Sequence, residues 1–486
     1  MNSELKVNNI LKSIGKNGLI YGVSTALQPL SGFLLLPLYS EYFEKSEFGI
    51  YTLILLISTI FSTFFYLGIN SAFIRSYYDY DLEEERVKVF NTSLFILLIG
   101  LFLQVLTCFL AAKFLSVSIL KDESYKGLLI ISVITSGISF INTGILNYLR
   151  VKEKSLNYSL VSVFTFILNI TFTLYLFEYQ SKTIESPIYS ALLSQSLTMF
   201  LLILLNIKVI NLFNINKNEI KILLQFGLPS IFASSTVMLG EWGDKLLINE
   251  FLNKDELGVF SMAFRIAMIY NVTIAMPFAL VWSPLMMKIH KYKNAKAIFS
   301  KVAYFYFGFS LFFIFTSYII LEPLLKLLSF SPNFDDSLKF VPLLMFALAL
   351  GSLQNIYSAG IVFARKPMVL AYIYTGTGIL NLLISYYAVI YHGIIGIIFT
   401  FIFLRLITSA AIYFFSNKYF RFQIHFLDYL VLFILFILGF FIQIKYFYYK
   451  SNIIFLGVYI FIYFIFLFKS KILSFAMNLK SSRILL

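Results

Sequence analysis

The chain has 486 residues, of which 59% are hydrophobic and 13% charged, and its mean hydropathy is +0.85. A water-soluble fold could not bury so large an apolar share and keep a polar surface, so a soluble globular protein is excluded. The net charge of +14 would suggest a nucleic-acid partner in a soluble protein. Here the basic residues lie in links between apolar runs, which is typical of a membrane protein, and no nucleic-acid partner is expected.

Apolar runs of about 20 residues follow one another along the chain, and each is long enough for an α-helix to cross a hydrocarbon core. The sequence therefore predicts an all-α polytopic membrane protein that contacts the lipid bilayer along most of its length. Its fourteen predicted spans lie near residues 17–40, 48–72, 89–112, 127–149, 155–177, 187–207, 222–249, 257–282, 302–320, 340–363, 367–390, 393–416, 429–444 and 451–468.

The lysines and arginines divide unequally between the two sides of the predicted membrane. The side that holds both chain ends carries 25 of them, the opposite side carries 10, and the spans themselves carry 3. Because basic residues accumulate in cytoplasmic links, both termini are predicted to lie in the cytoplasm. An even number of spans also requires both ends to lie on one side.

The turn after the first predicted span, "EYFEKSEFGIY" at 41–51, has a near-copy after the seventh, "EFLNKDELGVF" at 250–260. Aligned without a gap, the two copies share four residues, and the same register pairs two distant glycines. The pairs are Glu41 with Glu250, Lys45 with Lys254, Glu47 with Glu256, Gly49 with Gly258, and Gly18 with Gly227. Convergence of short membrane turns is the alternative explanation, and the distant glycine pair argues against it.

Six predicted spans separate the copies, so the two copies have the same orientation in the membrane. This pattern predicts two parallel six-helix lobes around a central cavity, which can rock to expose that cavity to each side in turn. The N-terminal lobe is predicted at 1–207 and the C-terminal lobe at 222–416, with a cytoplasmic link at 208–221. Residues 417–486 add two C-terminal helices and a cytoplasmic tail.

The first lobe contains two kinds of candidate functional residue. Pro29 and Pro37 interrupt the first span, where a missing backbone donor favours a bend suited to gating. Arg75 and Arg150 lie at the predicted cytoplasmic ends of the second and fourth spans. They are placed to meet an incoming phosphate, although the usual enrichment of basic residues on that side explains them equally well.

The seventh span carries three charged residues, Glu241, Asp244 and Lys245, in "GEWGDKLLI". Charges within the hydrocarbon are costly unless they are paired or hydrated, so each is a candidate site residue. One interpretation is an ion pair on a single helix face, since Glu241 and Lys245 are four residues apart. The other is a cavity-lining cluster whose charge changes when a proton or sodium ion binds. Pro229 marks a further candidate bend in this span.

Arg265 in the eighth span and Arg405 in the twelfth have no acidic neighbour within one turn of their own helices. An arginine so far inside a span needs water, a carboxylate or an anionic ligand. Its planar fork suits a phosphate because it donates two parallel hydrogen bonds. Pairing of Arg265 with Glu241 or Asp244 across the lobe is the alternative. Pro277 is the candidate bend of the eighth span.

Two stretches resemble a known family: "GVSTALQPLSGFLLLPLYSEYFEKSEFGIYTLI" with "SAFIRSYYDYDLEEERVKVF", and "FGLPSIFASS" with "GDKLLINEFLNKDELGVFSMAFRI". They are similar to the bacterial Wzx-type polysaccharide and O-antigen flippases of the multidrug/oligosaccharidyl-lipid/polysaccharide (MOP) exporter superfamily. The resemblance implies a bacterial inner-membrane protein that moves undecaprenyl-diphosphate-linked oligosaccharides of lipopolysaccharide O-antigen or capsule type. It also implies a cationic central cavity and an acidic residue before a base in the seventh span, matched by Asp244 and Lys245. The sequence departs from several relatives in having no arginine within the first span.

The lengths of the links between the predicted spans limit the possible energy sources for transport. No nucleotide-hydrolysing domain fits between the spans, so no cofactor is expected, and transport is expected to use a proton or sodium gradient or the gradient of the substrate itself. The predicted substrate is a polyprenyl-diphosphate-linked oligosaccharide. A glycan polymerase or chain-length regulator is a further expected partner.

Two other functions remain as alternatives. A MATE-like cation or drug antiporter would share the fold but would favour an acidic cavity, whereas the spans hold three cations, Lys245, Arg265 and Arg405, against two carboxylates. A membrane glycosyltransferase or glycan polymerase would need a long outer link with carboxylates, and the predicted outer links are short. The sequence therefore favours a transporter over an enzyme.

Overall fold

Helices form the part of the protein that the structure describes. The structure is a computed structural model, and it describes residues 22–446 apart from residues 23, 26, 28, 291 and 425. These residues contain no β-strand, and nine of their helical segments are long and apolar enough to cross a membrane. The predicted all-α polytopic fold is confirmed. The fourteenth predicted span, 451–468, and the start of the first lie outside the described residues.

Residues 22–206 are called the N-terminal half below. Helical residues 29–34 and one turn residue, Leu35, lead into its first complete helix. A single 3₁₀ turn, Glu123–Tyr125, precedes the fifth. The helices are α1 Leu36–Tyr42, α2 Lys45–Phe65, α3 Ile69–Tyr77, α4 Glu83–Ser118, α5 Lys126–Val151, α6 Ser155–Tyr179 and α7 Glu185–Asn206.

Residues 217–446 are called the C-terminal half. A π-helical turn, Asn271–Ala275, joins its second and third helices, and a 3₁₀ turn, Pro332–Phe334, precedes its fifth. The helices are α8 Lys217–Phe251, α9 Lys254–Ala267, α10 Met276–Ile289, α11 Ala295–Leu327, α12 Asp335–Leu338, α13 Val341–Tyr357, α14 Ala359–Phe363, α15 Pro367–Ser416 and α16 Phe426–Tyr446.

The second and eighth predicted spans are interrupted at matching places. After α2, Leu67 and Gly68 have φ values of 54° and 63°, in the left-handed region, so the helix stops before α3 begins. In the eighth span the π-helical turn ends at Ala275, just before Pro277. Gly49 and Gly258 are 209 positions apart, and the same register sets Gly68 opposite Pro277. Each half therefore breaks its second span at an equivalent point.

Two further spans differ from continuous helices. Ser358 separates α13 from α14 within the tenth predicted span. The eleventh and twelfth predicted spans meet inside α15 at Gly393, whose φ of 59° and ψ of −143° are not helical. The two spans are therefore distinct helices joined by a tight connection, as their predicted bounds of 367–390 and 393–416 require.

Helix capping explains the acidic residues of the repeated turns. The Glu44 backbone N–H, at the start of α2, donates to the Glu47 side chain at 3.0 Å. In the second copy, the Asn253 side chain accepts from the Glu256 backbone N–H at 2.8 Å, at the start of α9. Side chains at helix starts stabilise backbone groups that lack a partner within the helix. Each copy therefore starts a helix at the same point.

The glycine that both copies of the turn share allows the two halves to meet. A Cβ atom on Gly49 would overlap the backbone oxygen of Lys254, and one on Gly258 would overlap the backbone oxygen of Lys45. Lys45 and Lys254 are themselves a matched pair of the repeat, so the contact is reciprocal. Helices α2 and α9 consequently cross in close contact. This end of the bundle is called the repeat-turn end.

The halves also touch at the opposite end, called the link end. Helix α3 packs against α8, and the guanidinium carbon of Arg75 lies 4.6 Å from the ring centre of Phe226. Nearby, the Tyr80 hydroxyl donates to the Glu219 carboxylate. The buried apolar residues of the N-terminal half separate into one cluster towards each end. The interior of that half is polar between them.

Candidate functional site

A large cavity lies inside the N-terminal half. It has a volume of about 580 Å³ and is lined by α2, α5, α6 and α7 and by helical residues that precede α1. Most of its lining side chains are hydroxyls and amides. On α5 they follow one face at helical spacing: Ser132, Thr135, Ser136, Ser139, Asn142, Thr143 and Asn147. This space is called the N-half cavity.

The walls of the N-half cavity hold together through their own polar groups. The Ser58 hydroxyl on α2 donates to the Ser132 hydroxyl on α5 at 2.8 Å. Thr165 and Thr198 share a hydrogen bond of 2.9 Å between α6 and α7. Thr143 on α5 donates to the Ser139 carbonyl oxygen one turn earlier, at 2.9 Å. Such bonds keep polar side chains inside an apolar bundle at low cost.

Arg265 on α9 is the one charged residue among the described residues that line the N-half cavity. It reaches this cavity from the C-terminal half. Its guanidinium carbon lies 5.5 Å from the ring centre of Phe48 and 5.3 Å from that of Tyr51, both on α2. It forms no ion pair with any carboxylate in the described part of the chain. Aromatic faces hold the cation in position and leave its donors available.

The three charged residues of the seventh predicted span have separate partners on other elements. Asp244 is buried and accepts hydrogen bonds from Asn381 at 2.9 Å and from Ser385 at 2.7 Å, both on α15. Glu241 pairs with Arg405 at 3.4 Å, between side chains that are 33% and 20% exposed. The pair of Glu241 with Lys245, one of the two interpretations of the sequence, is not formed in the described structure, because Glu241 pairs with Arg405 instead.

Lys245 and Arg405 both lie against aromatic rings of the C-terminal half. The Lys245 ammonium is 5.3 Å from the ring centre of Phe264, and the Arg405 guanidinium carbon is 5.0 Å from that of Phe401. Arg405 and Glu241 line a pocket of only about 50 Å³, together with Tyr374 and Asn381 of α15. Arg405 therefore belongs to a small charged pocket that is distinct from the cavity containing Arg265.

Arg75 and Arg150 do not line the N-half cavity in the described structure. Both are exposed and lie at the link end, where Arg75 stacks on Phe226 of α8. Arg150 lies in the last turn of α5, which ends at Val151. In the described structure these two arginines lie at the link end and outside the cavity lining.

The four candidate prolines occupy different local settings. Pro29 lies in the helical residues before α1, and Pro37 is in the first turn of α1, directly after the break at Leu35. Position 229 lies within α8, which is continuous from Lys217 to Phe251. Pro277 is in the first turn of α10, directly after the π-helical turn. Pro37 and Pro277 therefore adjoin local interruptions of their helices.

Sequence reasoning based on charge missed the neutral lining of the N-half cavity. The signal was present in "SVITSGISFINTGILN" at 132–147, where hydroxyls and amides recur every three or four residues. It also missed Asn381 and Ser385 as partners of Asp244, although the two lie four apart in "NLLIS". Both sets consist of uncharged polar residues, which are individually common in membrane helices.

The polar cavity within a bundle of apolar helices places this protein in the class of multi-pass helical membrane proteins with a polar interior. The chain resembles solved structures of that class. One is described as the lipid II flippase MurJ in an inward closed conformation, with TM-score 0.73, 16% identity, and coverage of 95% of this chain and 100% of that chain. Another is an inward-facing multidrug resistance MATE family transporter of the MOP superfamily, with TM-score 0.59, 18% identity, and coverage of 81% and 94%.

A third solved structure is a MOP superfamily transporter from Pyrococcus furiosus, with TM-score 0.57, 17% identity, and coverage of 84% of this chain and 95% of that chain. Residues 14–290 match the family model described as polysaccharide biosynthesis protein. This match covers more than half of the chain, and the protein belongs to that family. The resemblance to polysaccharide exporters of the MOP superfamily is confirmed. No curated protein sequence matches the chain.

Proposed function

We propose that this protein is a flippase that moves undecaprenyl-diphosphate-linked oligosaccharide repeat units across the cytoplasmic membrane of a bacterium. The main support is the N-half cavity of about 580 Å³, which offers a polar enclosure to a head group that hydrocarbon excludes. Arg265 stands in its wall as a cation without a carboxylate partner among the described residues. The polyprenyl tail remains in lipid while the head group crosses.

The proposed role of Arg265 is to bind the diphosphate. Its planar fork donates paired hydrogen bonds to phosphate oxygens, and stacking on Phe48 and Tyr51 orients that fork. Because Arg265 lies on α9 and both rings on α2, a bound diphosphate would contact the junction of the two halves. Arg75 and Arg150, at the link end, are proposed to attract the diphosphate before it enters.

Alternating access would then move the site from one membrane face to the other. The link end is proposed to face the cytoplasm, with both termini on that side, and the repeat-turn end to face outwards. The reciprocal contact of Gly49 and Gly258 would separate when the outward path opens. The interruptions next to Pro37 and Pro277 are the proposed bending points, with Pro29 and Pro229 as further candidates.

Coupling to a proton or sodium gradient is proposed to occur at Asp244, with Glu241 as a second candidate. Asp244 is buried and bonded only to neutral groups in the hydrogen bonds described, Asn381 and Ser385. Binding of a cation to this carboxylate would neutralise it and change its attraction for Lys245, the next residue along the helix. That change would alter how α8 packs on α15.

The substrate class extends the family assignment. A repeat unit of O-antigen or capsule type is the proposed cargo, and a glycan polymerase or chain-length regulator is the proposed partner that uses it next. A MATE-like exporter of cations is disfavoured because the described lining of the N-half cavity contains no carboxylate to attract a cation. A glycosyltransferase is disfavoured on the same ground, since glycosyl transfer generally needs a carboxylate base.

The proposal is tested by reconstituting the protein in liposomes with a fluorescent undecaprenyl-diphosphate oligosaccharide and measuring its appearance in the opposite leaflet. The wild-type protein should move the lipid, and Arg265→Ala should reduce the rate to background with the protein amount unchanged. Arg421→Ala is the matched control, because Arg421 is exposed in the segment before α16 and does not line the cavity.

Wild-type protein that leaves the labelled lipid in its original leaflet would refute the flippase assignment. Movement at the wild-type rate by Arg265→Ala would refute the diphosphate role alone. A drug-susceptibility panel on a strain that lacks the gene then distinguishes a cation exporter from a flippase. Loss of a cation exporter should make the strain more sensitive to its cationic substrates.

A further inference from the structure

The polar lining of the N-half cavity is built from aligned helix faces. The face of α5 supplies seven hydroxyls and amides between Ser132 and Asn147, at intervals of three or four residues. Opposite it, α6 contributes Ser162, Thr165 and Asn169 at the same kind of interval. This spacing keeps every one of these side chains on the cavity side of its helix. The result is a continuous surface of neutral donors and acceptors.

One buried group on this surface has unused hydrogen-bonding capacity. Asn142 is 2% exposed, and its amide nitrogen donates to the backbone oxygen and to the side-chain oxygen of Gln195, both at 2.9 Å. Its side-chain oxygen has no hydrogen-bond partner among the described residues. A buried acceptor without a partner costs free energy, and a ligand in the cavity that donates a hydrogen bond to this oxygen would offset that cost.

The charge of the lining restricts what that ligand can be. The described lining residues include no carboxylate, and Arg265 is their single cation. One cation can be matched by one anionic group, which the proposed function assigns to the diphosphate. A second negative charge would find hydroxyls and amides but no further cation among the described lining residues, and burial of an unpaired charge is unfavourable.

We propose that the N-half cavity binds the sugar residues of the carried lipid and selects glycans that carry no charge of their own. Sugar hydroxyls both donate and accept, so they match a surface of serine, threonine, asparagine and glutamine. A sugar hydroxyl or acetamido N–H would donate to the free Asn142 oxygen. This inference rests on the proposed flippase function and adds to it a substrate class, the neutral oligosaccharides.

The experiment measures binding to the full-length purified protein in lipid nanodiscs by microscale thermophoresis. Three probes are compared: polyprenyl diphosphate carrying a neutral disaccharide, the same lipid with one hexose replaced by its uronic acid, and polyprenyl diphosphate without sugar. The neutral probe should bind at least about tenfold more tightly than either of the others, because only it forms the sugar hydrogen bonds without burying a second charge.

A matched pair of threonines separates recognition from general structural effects. Thr143 and Thr107 are both exposed in the structure, and each donates to the carbonyl oxygen four residues earlier in its helix, at 2.9 and 2.6 Å. Thr143 lines the cavity and Thr107 does not. Thr143→Val should weaken binding of the neutral probe about fivefold and leave the sugar-free probe unchanged. Thr107→Val should change neither.

Asn142→Leu is a second test of sugar binding by the lining of the N-half cavity. It removes the free oxygen with little change of volume and should abolish the preference for the neutral probe over the sugar-free one. If that variant does not fold, Thr143→Val still tests whether the cavity lining recognises the neutral sugar. Equal binding of the neutral and uronic-acid probes, or equal effects of the two threonine variants, would overturn neutral-sugar selection while the flippase function stands. Failure of all three probes to bind would overturn the flippase proposal itself.

Discussion

The two halves of this protein share a framework and differ in their interiors. Both start their second span from a capped turn, both break that span at an equivalent point, and each presents a glycine to the other. The N-terminal half encloses about 580 Å³ of neutral polar space, whereas the pocket around Glu241 and Arg405 in the C-terminal half measures about 50 Å³. In the described structure the larger, mostly neutral cavity therefore lies in the N-terminal half, and the pocket with the Glu241–Arg405 pair lies in the C-terminal half.

A single pair of helices illustrates the divergence. Helix α5 is the fourth predicted span of its half and turns a stripe of hydroxyls and amides to the cavity. Helix α13, in the tenth predicted span, buries Val341, Leu344, Met345 and eight further apolar side chains as far as Tyr357, in addition to Ser352 and Gln354. The polar face of α5 borders an open cavity, whereas the apolar side chains of α13 are packed against their neighbours. The two copies can thus keep a similar arrangement of helices while one helix face is polar in the first and apolar in the second.

The largest effect is expected when the shared framework itself is broken. Gly258→Ala places a Cβ atom against the Lys45 backbone oxygen, which should force the repeat-turn end apart and reduce lipid movement to background. The matched control is Gly376→Ala on α15, where a Cβ would meet no atom within 4 Å. Both variants are compared in the liposome assay, and wild-type activity in Gly258→Ala would show that the reciprocal contact is dispensable.

The second prediction removes the buried carboxylate of the C-terminal half. Asp244→Asn keeps the volume but loses the negative charge held by Asn381 and Ser385. Lipid movement should fall about tenfold and lose its response to imposed pH and sodium gradients, because no cation can be taken up there. Binding of the neutral-sugar probe to the N-half cavity should stay within about twofold. A response to either gradient that persists would exclude Asp244 as the coupling group.

A smaller effect is expected from the pair of Glu241 and Arg405. Glu241→Gln should lower the free energy of unfolding by about 1 kcal/mol, since a half-buried arginine loses its carboxylate while water still reaches it. The double variant with Arg405→Gln should recover most of that loss. Thermal unfolding in detergent, analysed as a double-mutant cycle, gives the coupling between the residues. A coupling close to zero would mean that the pair contributes no stability.

The smallest effect concerns the link end, where the halves differ in sequence. Tyr80 donates a hydrogen bond to Glu219, and this bond raises the pKa of Tyr80 from 10.0 to about 12. The bond requires the protonated phenol, so its contribution should be complete below pH 10 and be lost as the pH rises through about 12. Tyr80→Phe should therefore speed hydrogen exchange at the start of α8 at pH 7 and remove the change that the wild type shows between pH 10 and 12.

That exchange measurement has a direct control. Tyr78→Phe alters an exposed tyrosine of the same segment that forms no hydrogen bond through its hydroxyl in the described structure. It should exchange like the wild type at every pH. Equal exchange in Tyr80→Phe and Tyr78→Phe would show that the contact with Glu219 does not hold the two halves together.

The sequence predicted the helices because each apolar run meets the length requirement of a membrane span by itself. It predicted the repeat because Glu47 and Glu256 in the first turns of α2 and α9, and the glycines that let these helices cross, are the same in both copies. The breaks were harder to predict. Gly68 adopts a left-handed conformation where Gly227 of α8 packs against the Leu67 backbone, which is a contact between distant parts of the chain.

The site was predictable only in part. Charged residues stand out in an apolar sequence, so Arg265, Arg405, Glu241 and Asp244 were found, but their partners depend on how separate helices pack. Glu241 and Arg405 are 164 positions apart, so the sequence around either residue does not indicate that they pair. The N-half cavity was missed because single serines and threonines are common in membrane helices, so none of them stands out in the sequence.

The reciprocal contact of Gly49 and Gly258 has a consequence for the origin of the molecule. Each copy of the turn places its glycine against the lysine backbone of the other, so the surface is its own complement, as in the isologous interface of a twofold dimer. The geometry is that expected of an ancestral homodimer whose subunits were later joined by duplication and fusion of one gene.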